Sequence, residues 1–424
     1  MARIVMKFGG TSVADLDRIR HVAALVAAEH ANGNEVAVVV SAMSGETNRL
    51  VGFVDELSSD RPMGNAKLGG LIDDEYDAIV ASGEQVTSGL LSIALRRRGV
   101  KARSWQGWQI PLQTDGAHAS ARIKGIETLA FNQSLKDGVV GVVAGFQGIS
   151  PEGRVSTLGR GGSDTSAVAL AVALQADRCD IYTDVDGVYT TDPRIVPEAR
   201  RLSRIAFEEM LELASQGAKV LQTRSVELAM NNNLPIRVLT SFRGIDEANP
   251  GTLVCSEEKT MEERVVSGVA YSRDEAQISL LRLNDIPGVV ARVCGVMAEA
   301  NISVDMIVQG TSRREDSANL VFTIGRRDLD KTLAALETNK EKIGFDGLLV
   351  NDKVSKVSVV GIGMRSHAGV AHTMFSALAD RNINIEVIAT SEIKISVLID
   401  TDMTELAVRA LHSAFELGVS LGDT

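Results

Sequence analysis

Apolar positions in the first part of the chain fall into two alternating spacings. Short, mainly apolar runs over residues 3–8, 35–42, 139–146, 179–183 and 236–240 read as buried strands. Between them, apolar residues recur at helical spacing over 16–29, 65–83, 85–98, 165–174 and 207–215. Such alternation predicts an α/β fold with a mostly parallel central sheet covered by helices on both faces. The pattern breaks at Asn249-Pro250-Gly251 and again in the charged stretch 257–264. A first domain is therefore expected over 1–250 and a linker over 251–264.

Past the break the pattern repeats itself. Residues 286–310 laid over 367–391, an offset of 81, match Gly288 with Gly369, Val289 with Val370, Asn301 with Asn382, Ile302 with Ile383 and Ile307 with Ile388. Each copy reads strand, glycine turn, amphipathic helix, Asn-Ile turn, strand, and is followed by a further strand, at 319–324 or 394–400. Self-similarity on this scale predicts two copies of one small α+β unit, over 265–345 and 350–424.

Two glycine-rich segments in the first domain carry candidate chemistry. Thr157-Leu158-Gly159-Arg160-Gly161-Gly162-Ser163-Asp164-Thr165-Ser166 opens onto a helical pattern. Backbone N–H groups at a helix N-terminus favour an anion, so the segment fits a phosphate or carboxylate cradle. By itself it equally fits an N-capped turn with Ser163 or Asp164 as the cap. The second segment, Lys7-Phe8-Gly9-Gly10-Thr11-Ser12, follows a predicted strand and precedes a helix. That order puts Lys7 at the carboxyl end of a strand, where open α/β sheets bind ligands. Neither a Walker A loop nor the protein-kinase set of motifs occurs.

Charge and composition narrow the partners. With 424 residues, 45 % hydrophobic and a formal net charge of −11, the chain has the composition of a multidomain globular protein. The negative charge argues against nucleic acid or an anionic membrane as partner. Cys179, Cys255 and Cys294 are isolated, the histidines are scattered, and no metal-ligand spacing is present, so no protein-held metal site is expected. No signal-peptide pattern opens the sequence and no uninterrupted 18-residue apolar run occurs, which predicts a cytoplasmic location.

Taken in order, the motifs resemble those of the aspartate kinases, members of the amino acid kinase superfamily. The resemblance covers the whole chain. Its carriers are the two glycine segments, Ser41-Ala42-Met43-Ser44-Gly45, Ser82-Gly83-Glu84, the run from Thr183-Asp184 through Tyr189 to Arg194, and Gly217-Ala218-Lys219-Val220-Leu221. The two repeats resemble ACT domains, small ferredoxin-like α+β modules that sense amino acids. Where the family pattern often has proline, this chain has Asp186.

The resemblance implies transfer of a phosphoryl group from ATP, accompanied by Mg2+, to the β-carboxylate of L-aspartate, the first step towards lysine, threonine and methionine. It implies catalytic roles for Lys7, Asp164 and Lys219. Substrate contacts would come from Ser41, Thr47, Glu84, Phe146, Arg160 and Ser163, with Glu84 on the aspartate ammonium and Arg160 on its α-carboxylate. Nucleotide contacts would come from Lys7, Gly9, Gly10, Thr183, Asp184, Tyr189, Arg194 and Lys219. Feedback by lysine, threonine or both would act at Asn284, Asp285, Pro287, Gly288, Val289, Val304, Asp305 and Met306, with Ser391 and Glu392 contributed by a partner chain. That arrangement implies a homodimer or larger homo-oligomer assembled through the ACT units. The family also implies that the strand around 265–270 joins the sheet of the second repeat. A sister kinase acting on glutamate or acetylglutamate, and a non-catalytic amino-acid sensor, are the competing readings.

Overall fold

The computed structural model of the chain describes residues 1–59, 73–159, 161–216, 220–244, 248, 250–257, 265–311 and 317–419. They form two compact bodies. One comprises Met1–Val188, Arg201–Ala214 and Lys219–Met261, the other Tyr189–Arg200, Ser215–Ala218 and Glu262–Thr424.

The first body contains β1 (Arg3–Phe8), β2 (Glu35–Val40), β3 (Ala102–Trp105), β4 (Leu112–Thr114), β5 (Ile123–Ile126), β6 (Val140–Ala144), β7 (Gln147–Ile149), β8 (Val155–Thr157), β9 (Arg178–Thr183), β10 (Arg204–Ala206), β11 (Ile236–Thr240) and β12 (Thr252–Cys255). Its main sheet is eight-stranded in the order β10-β12-β11-β9-β1-β2-β6-β3. Neighbours run parallel except β11 and β12. The central strands are mainly apolar because both faces are covered, with Lys7, Asp180 and Arg237 among the charged exceptions. Ile4, Met6, Phe8, Val36, Val38 and Val40 pack with Val22 and Val26 of the helix Leu16–Ala31 and with Leu91 and Leu95 of the helix Ser82–Arg97. A second, four-stranded sheet has the order β5-β4-β7-β8.

Two sequence-based boundaries differ from this arrangement. The expected linker over 251–264 includes β12, which pairs antiparallel with β11 (Ile236 opposite Val254) and parallel with β10. Its apolar stretch is too short to stand out beside the preceding Asn-Pro-Gly turn. Residues 189–200, expected within the first domain, belong to the second body: Ile195 and Val196 enter a core with Val357, Val359 and Leu411, and the Thr190 hydroxyl meets His412 Nε2 at 3.0 Å. Part of the helix expected over 65–83 lies outside the described residues; the described part is Asp73–Val80. The helical run Asp73–Arg97 is long and apolar enough on average to cross a membrane by length and composition, although charged and polar residues interrupt it, so it is not the uninterrupted apolar run whose absence is expected. Half of its apolar window is buried inside the protein, and it carries Asp77 and Glu84 into the core.

The second body is built on β13 (Gly268–Asn284), β14 (Val304–Thr311), β15 (Ser317–Ile324), β16 (Gly347–Val360), β17 (Val387–Thr390) and β18 (Lys394–Asp400). They form one antiparallel sheet in the order β14-β15-β13-β16-β18-β17. The long strands β13 and β16 each serve both repeats. Residues 268–272 pair with 356–360 in the second repeat, whereas 277–281 pair with 347–351 in the first. The repeat is also visible in the backbone. Gly288 and Gly369 (φ 91° and 104°) precede the helices Val289–Glu299 and Val370–Ala379, and Asn301 and Asn382 (φ 51° and 54°) follow them. Asparagine tolerates this left-handed conformation and β-branched residues do not. Asn382→Val is therefore expected to destabilise the chain by about 1–2 kcal/mol in chemical denaturation, and Asn382→Gly to be nearly neutral.

Candidate active site

Strands β9, β1, β2 and β6 are adjacent and parallel, so their carboxyl ends form one edge. Along or just beyond that edge lie Thr183, Lys7 with Gly9 and Gly10, Ser41 and Phe146. Lys7 is 9 % exposed and Asp164 is 8 % exposed; the ammonium meets the carboxylate at 2.5 Å. The Gly9 N–H donates to the Tyr182 carbonyl at 3.3 Å and the Ser41 N–H to that of Phe8 at 3.0 Å. A Cβ on Gly10 would come within 3.1 Å of the Ala42 carbonyl oxygen, so this turn packs closely on the loop after β2.

Asp164 and Ser163 are buried in the first turn of the helix Gly162–Ala173. The residue before it, Gly161, has φ 75°, and a Cβ there would lie 1.9 Å from the Gln222 side chain. Only glycine fits that entry. The helix N-terminus, with its partial positive charge, and the Lys7 ammonium flank the same carboxylate, a combination suited to receiving further anionic oxygens. Phe146 adopts φ 68°, a strained conformation for an aromatic residue. Its N–H donates to the Ser166 hydroxyl at 3.0 Å and its carbonyl accepts from the Leu158 N–H at 2.9 Å, so the flanking structure fixes it. Strain of this kind collects at binding sites.

Glu84 supplies the opposite charge. It lies in the first turn of the helix Ser82–Arg97, which approaches the β2 loop so closely that a Cβ on Gly83 would sit 2.7 Å from that of Ala42. Glu84 is 3 % exposed; its Oε1 accepts the Ala42 N–H at 3.0 Å, and its Oε2 has no hydrogen-bond partner among the described residues. Burial pushes the carboxyl up to about 7, against the lowering effect of the Ala42 hydrogen bond. A buried acceptor with one open oxygen is suited to a ligand ammonium. Thr47 stands half-buried in the first turn of the helix Glu46–Ser59, next along the chain from the Ser41 loop.

Other expected residues fall elsewhere. The Thr183 hydroxyl donates to Asp184 Oδ1 at 3.1 Å. Tyr189 and Arg194 belong to the second body, where Arg194 is 87 % exposed in its side chain and pairs with Asp192 at 2.7 Å. Arg160 and Lys219 lie outside the described residues. Of the expected effector residues, Asn284, Asp285, Pro287 and Gly288 form an exposed turn, Val289 is buried beneath it, and Val304 packs on the same core. Asp305 is paired with Lys356, and Met306 is buried against Val354, Val387 and Leu398. Ser391 and Glu392 are exposed in the turn after β17, where Glu392 meets Arg365 at 3.4 Å.

Sequence reasoning missed Asp77. This fully buried carboxylate accepts from His118 Nδ1 at 2.8 Å, from the Ala119 N–H at 3.1 Å, and from both the N–H (2.9 Å) and the hydroxyl of Thr157. It thereby fastens the strand leading into the glycine loop to the helix Asp73–Val80. Asp77 follows Asp73, Asp74 and Glu75, so nothing in the sequence separates it from a solvated acidic turn. Among the described residues no cluster of histidine, cysteine and carboxylate side chains could hold a metal ion.

Known proteins resemble the chain over nearly its whole length. Residues 2–240 match the model of the amino acid kinase family, and 277–341 and 357–415 each match an ACT domain model. The aspartate kinase of Pseudomonas putida is 51 % identical over 418 residues, 98 % of each chain. The aspartokinase of Mycobacterium tuberculosis is 43 % identical over 422 residues, 99 % of this chain and 97 % of that one. Among solved structures, E. coli aspartokinase III in complex with aspartate and ADP has 31 % identity and a TM-score of 0.79, covering 97 % of this chain and 99 % of its own. The same enzyme in complex with lysine and aspartate has 29 % identity and a TM-score of 0.72, with the same coverages.

Glu84 makes stability depend on pH. Its folded-state carboxyl stands at about 7 against an ordinary 4.5, so the folded chain holds a proton that the unfolded chain releases between those values. The ligand-free protein should lose up to about 3 kcal/mol of stability as pH rises from 4.5 to 7, then level off. In Glu84→Gln this contribution should vanish, which urea denaturation across that pH range would measure.

Proposed function

The chain belongs to the aspartate kinases of the amino acid kinase family, and on that premise we propose that the pocket at the carboxyl edge of β9, β1, β2 and β6 performs the phosphoryl transfer. The acceptor is the β-carboxylate of L-aspartate. Ordinarily ionised at neutral pH, it needs no general base. One carboxylate oxygen forms a bond to the γ-phosphorus of ATP as the bond to the bridging oxygen of ADP breaks, leaving an acyl phosphate and ADP. The difficulty is bringing two anions together, so positioning and charge neutralisation dominate.

The buried Lys7–Asp164 pair is the observation that carries this reading. Asp164 orients the Lys7 ammonium, which neutralises the phosphoryl oxygens beside Gly9, Gly10 and the helix N-terminus. Glu84 takes the aspartate ammonium on its open oxygen. Arg160, between Gly159 and Gly161, takes the α-carboxylate by its planar fork, and Ser41, Thr47 and Ser163 supply hydroxyls while Phe146 walls the pocket. Lys219 adds a second cation, and Thr183 and Asp184 serve the nucleotide. Magnesium arrives with ATP as part of the substrate, held through phosphates and water.

The ACT pair carries feedback by lysine, threonine or both. The lysine complex of E. coli aspartokinase III supports lysine, and the exposed turn at Asn284–Gly288 with Asp305 close to the repeat core fits an amino acid. Assembly into a homo-oligomer is supported by Ile307, Val308, Leu349, Val350 and Ile388, large apolar residues left exposed on strands of the ACT sheet. A cytoplasmic location fits the free cysteines Cys179, Cys255 and Cys294 and the use of ATP.

Trapping the product with hydroxylamine, in the presence of MgATP and L-aspartate, tests the reaction. Hydroxamate from aspartate is expected; hydroxamate only from glutamate or acetylglutamate would move the chain to a sister kinase, and none from any of these acids would favour a sensor. Lys7→Met should lower kcat by about a hundredfold or more. Glu84→Gln should raise the aspartate KM about tenfold and leave that of ATP within a factor of about two. Because Glu84 must be ionised to take an ammonium, kcat/KM for aspartate should fall as pH drops below about 7, a limb absent from Glu84→Gln. Sedimentation of Leu349→Asp should show a smaller species than the native chain.

A further inference from the structure

Lys356 stands in the middle of the ACT sheet, on β16, opposite Ser272 of β13 and Leu398 of β18. Its side chain is only 5 % exposed. Two carboxylates share its ammonium: Glu275 of β13, 3.2 Å away and 8 % exposed, and Asp305 of β14, in direct contact and 49 % exposed. A lysine is buried this deeply only when paired. The group nevertheless holds one cation against two anions, so a further cation is electrostatically favoured there even with Lys356 in place.

The two carboxylates differ in their freedom. Glu275 lies on a central strand with neighbours on both sides. Asp305 lies on the edge strand β14, inside the register shift between Val304 and Ile307. Its neighbour Met306 donates its N–H to the Thr323 hydroxyl at 3.2 Å and packs against Val387 and Leu398 of the second repeat. Asp305 is thus half open to solvent, while its contact with Lys356 ties the first repeat's expected effector strand to the second repeat's first strand.

We propose that Lys356 is a built-in competitor for the effector's ammonium group. An amino acid entering at the first repeat delivers its ammonium to Asp305; Lys356 retreats onto Glu275, and the tie between the repeats through Asp305 is released. After the exchange two ammonium groups face Glu275 and Asp305, the effector's own α-carboxylate falls to the turn Asn284–Gly288 at the helix N-terminus, and no buried charge is left alone. The inference rests on the effector reading given above for Asp305 and deepens it: the ligand class is a primary ammonium, and Lys356 sets the concentration at which that ligand acts.

The experiment uses the full chain, with hydroxamate formation titrated by L-lysine, by L-threonine and by the two together, each rate normalised to that variant's own uninhibited rate, and with thermal shifts under the same amino acids. Lys356→Met should lower the half-inhibiting concentration of the effective amino acid threefold or more and enlarge its thermal shift at fixed concentration. Glu275→Gln, which leaves Lys356 only Asp305, should raise that concentration threefold or more, and Asp305→Asn should raise it tenfold or more. A folded Lys356→Met with an unchanged or weakened response would overturn the proposal. If Lys356→Met does not fold, Glu275→Gln decides, since a merely structural pair would lower the melting temperature without moving the inhibition curve. If neither amino acid, singly or combined, inhibits or stabilises the unsubstituted chain, the effector reading itself fails, whatever the variants do.

Discussion

A lysine at the end of a central strand of a parallel sheet has almost no water to hold its charge, and Lys7 stands there because Asp164 meets it from the first turn of the facing helix. Much of the first body's local architecture serves that meeting. The parallel register of β1 with β2 and β9 fixes where Lys7 ends up. Gly161 allows the helix to enter against Gln222, and Gly162 allows its first turn to pass Leu158 and Phe146. Asp77 holds the approach to the loop from behind. An ion pair this dry is a weak source of stability by itself, but removing either partner would leave the other charged and buried. The pair is therefore better understood as a device for keeping an ammonium aimed at one place.

Legibility in the sequence followed the range of the interactions. Strands β1, β2, β6, β9 and β11 were readable because burial on both faces leaves a mainly apolar run. Lys7, Gly9, Gly10, Ser163 and Asp164 were readable because glycine turns beside strand ends and helix starts have a local signature. Glu84 as a buried acceptor was not. Its state depends on how closely Gly83 approaches Ala42, a contact between segments far apart in the chain. Asp77 and Lys356 were missed for the same reason, each being a charged residue whose partners come from other elements. The short strand β12, and the entry of residues 189–200 into the second body, depend on tertiary pairing that no local pattern encodes.

The two bodies differ in how they use charge. In the first, opposite charges occupy a strand edge and two helix starts, where a ligand can replace one protein contact by another. In the second, Lys356 sits inside a sheet whose strands belong to two repeats at once, so under the proposed exchange a change at one carboxylate would be felt by both. Coupling of this kind needs no long chain of contacts. It requires two arrangements of one ammonium and a ligand that prefers one of them.

The shared strands also govern the order in which the chain can mature during synthesis. Residues 268–272 leave the ribosome before the whole first repeat, yet their partners, 356–360, belong to the second. Until β16 has emerged, the start of β13 presents an open edge of unpaired backbone groups in the nascent chain. The second repeat cannot reach its full set of strands without residues that precede the first, so the sheet of the regulatory part of the polypeptide is completed late, once β16 and the strands after it have emerged.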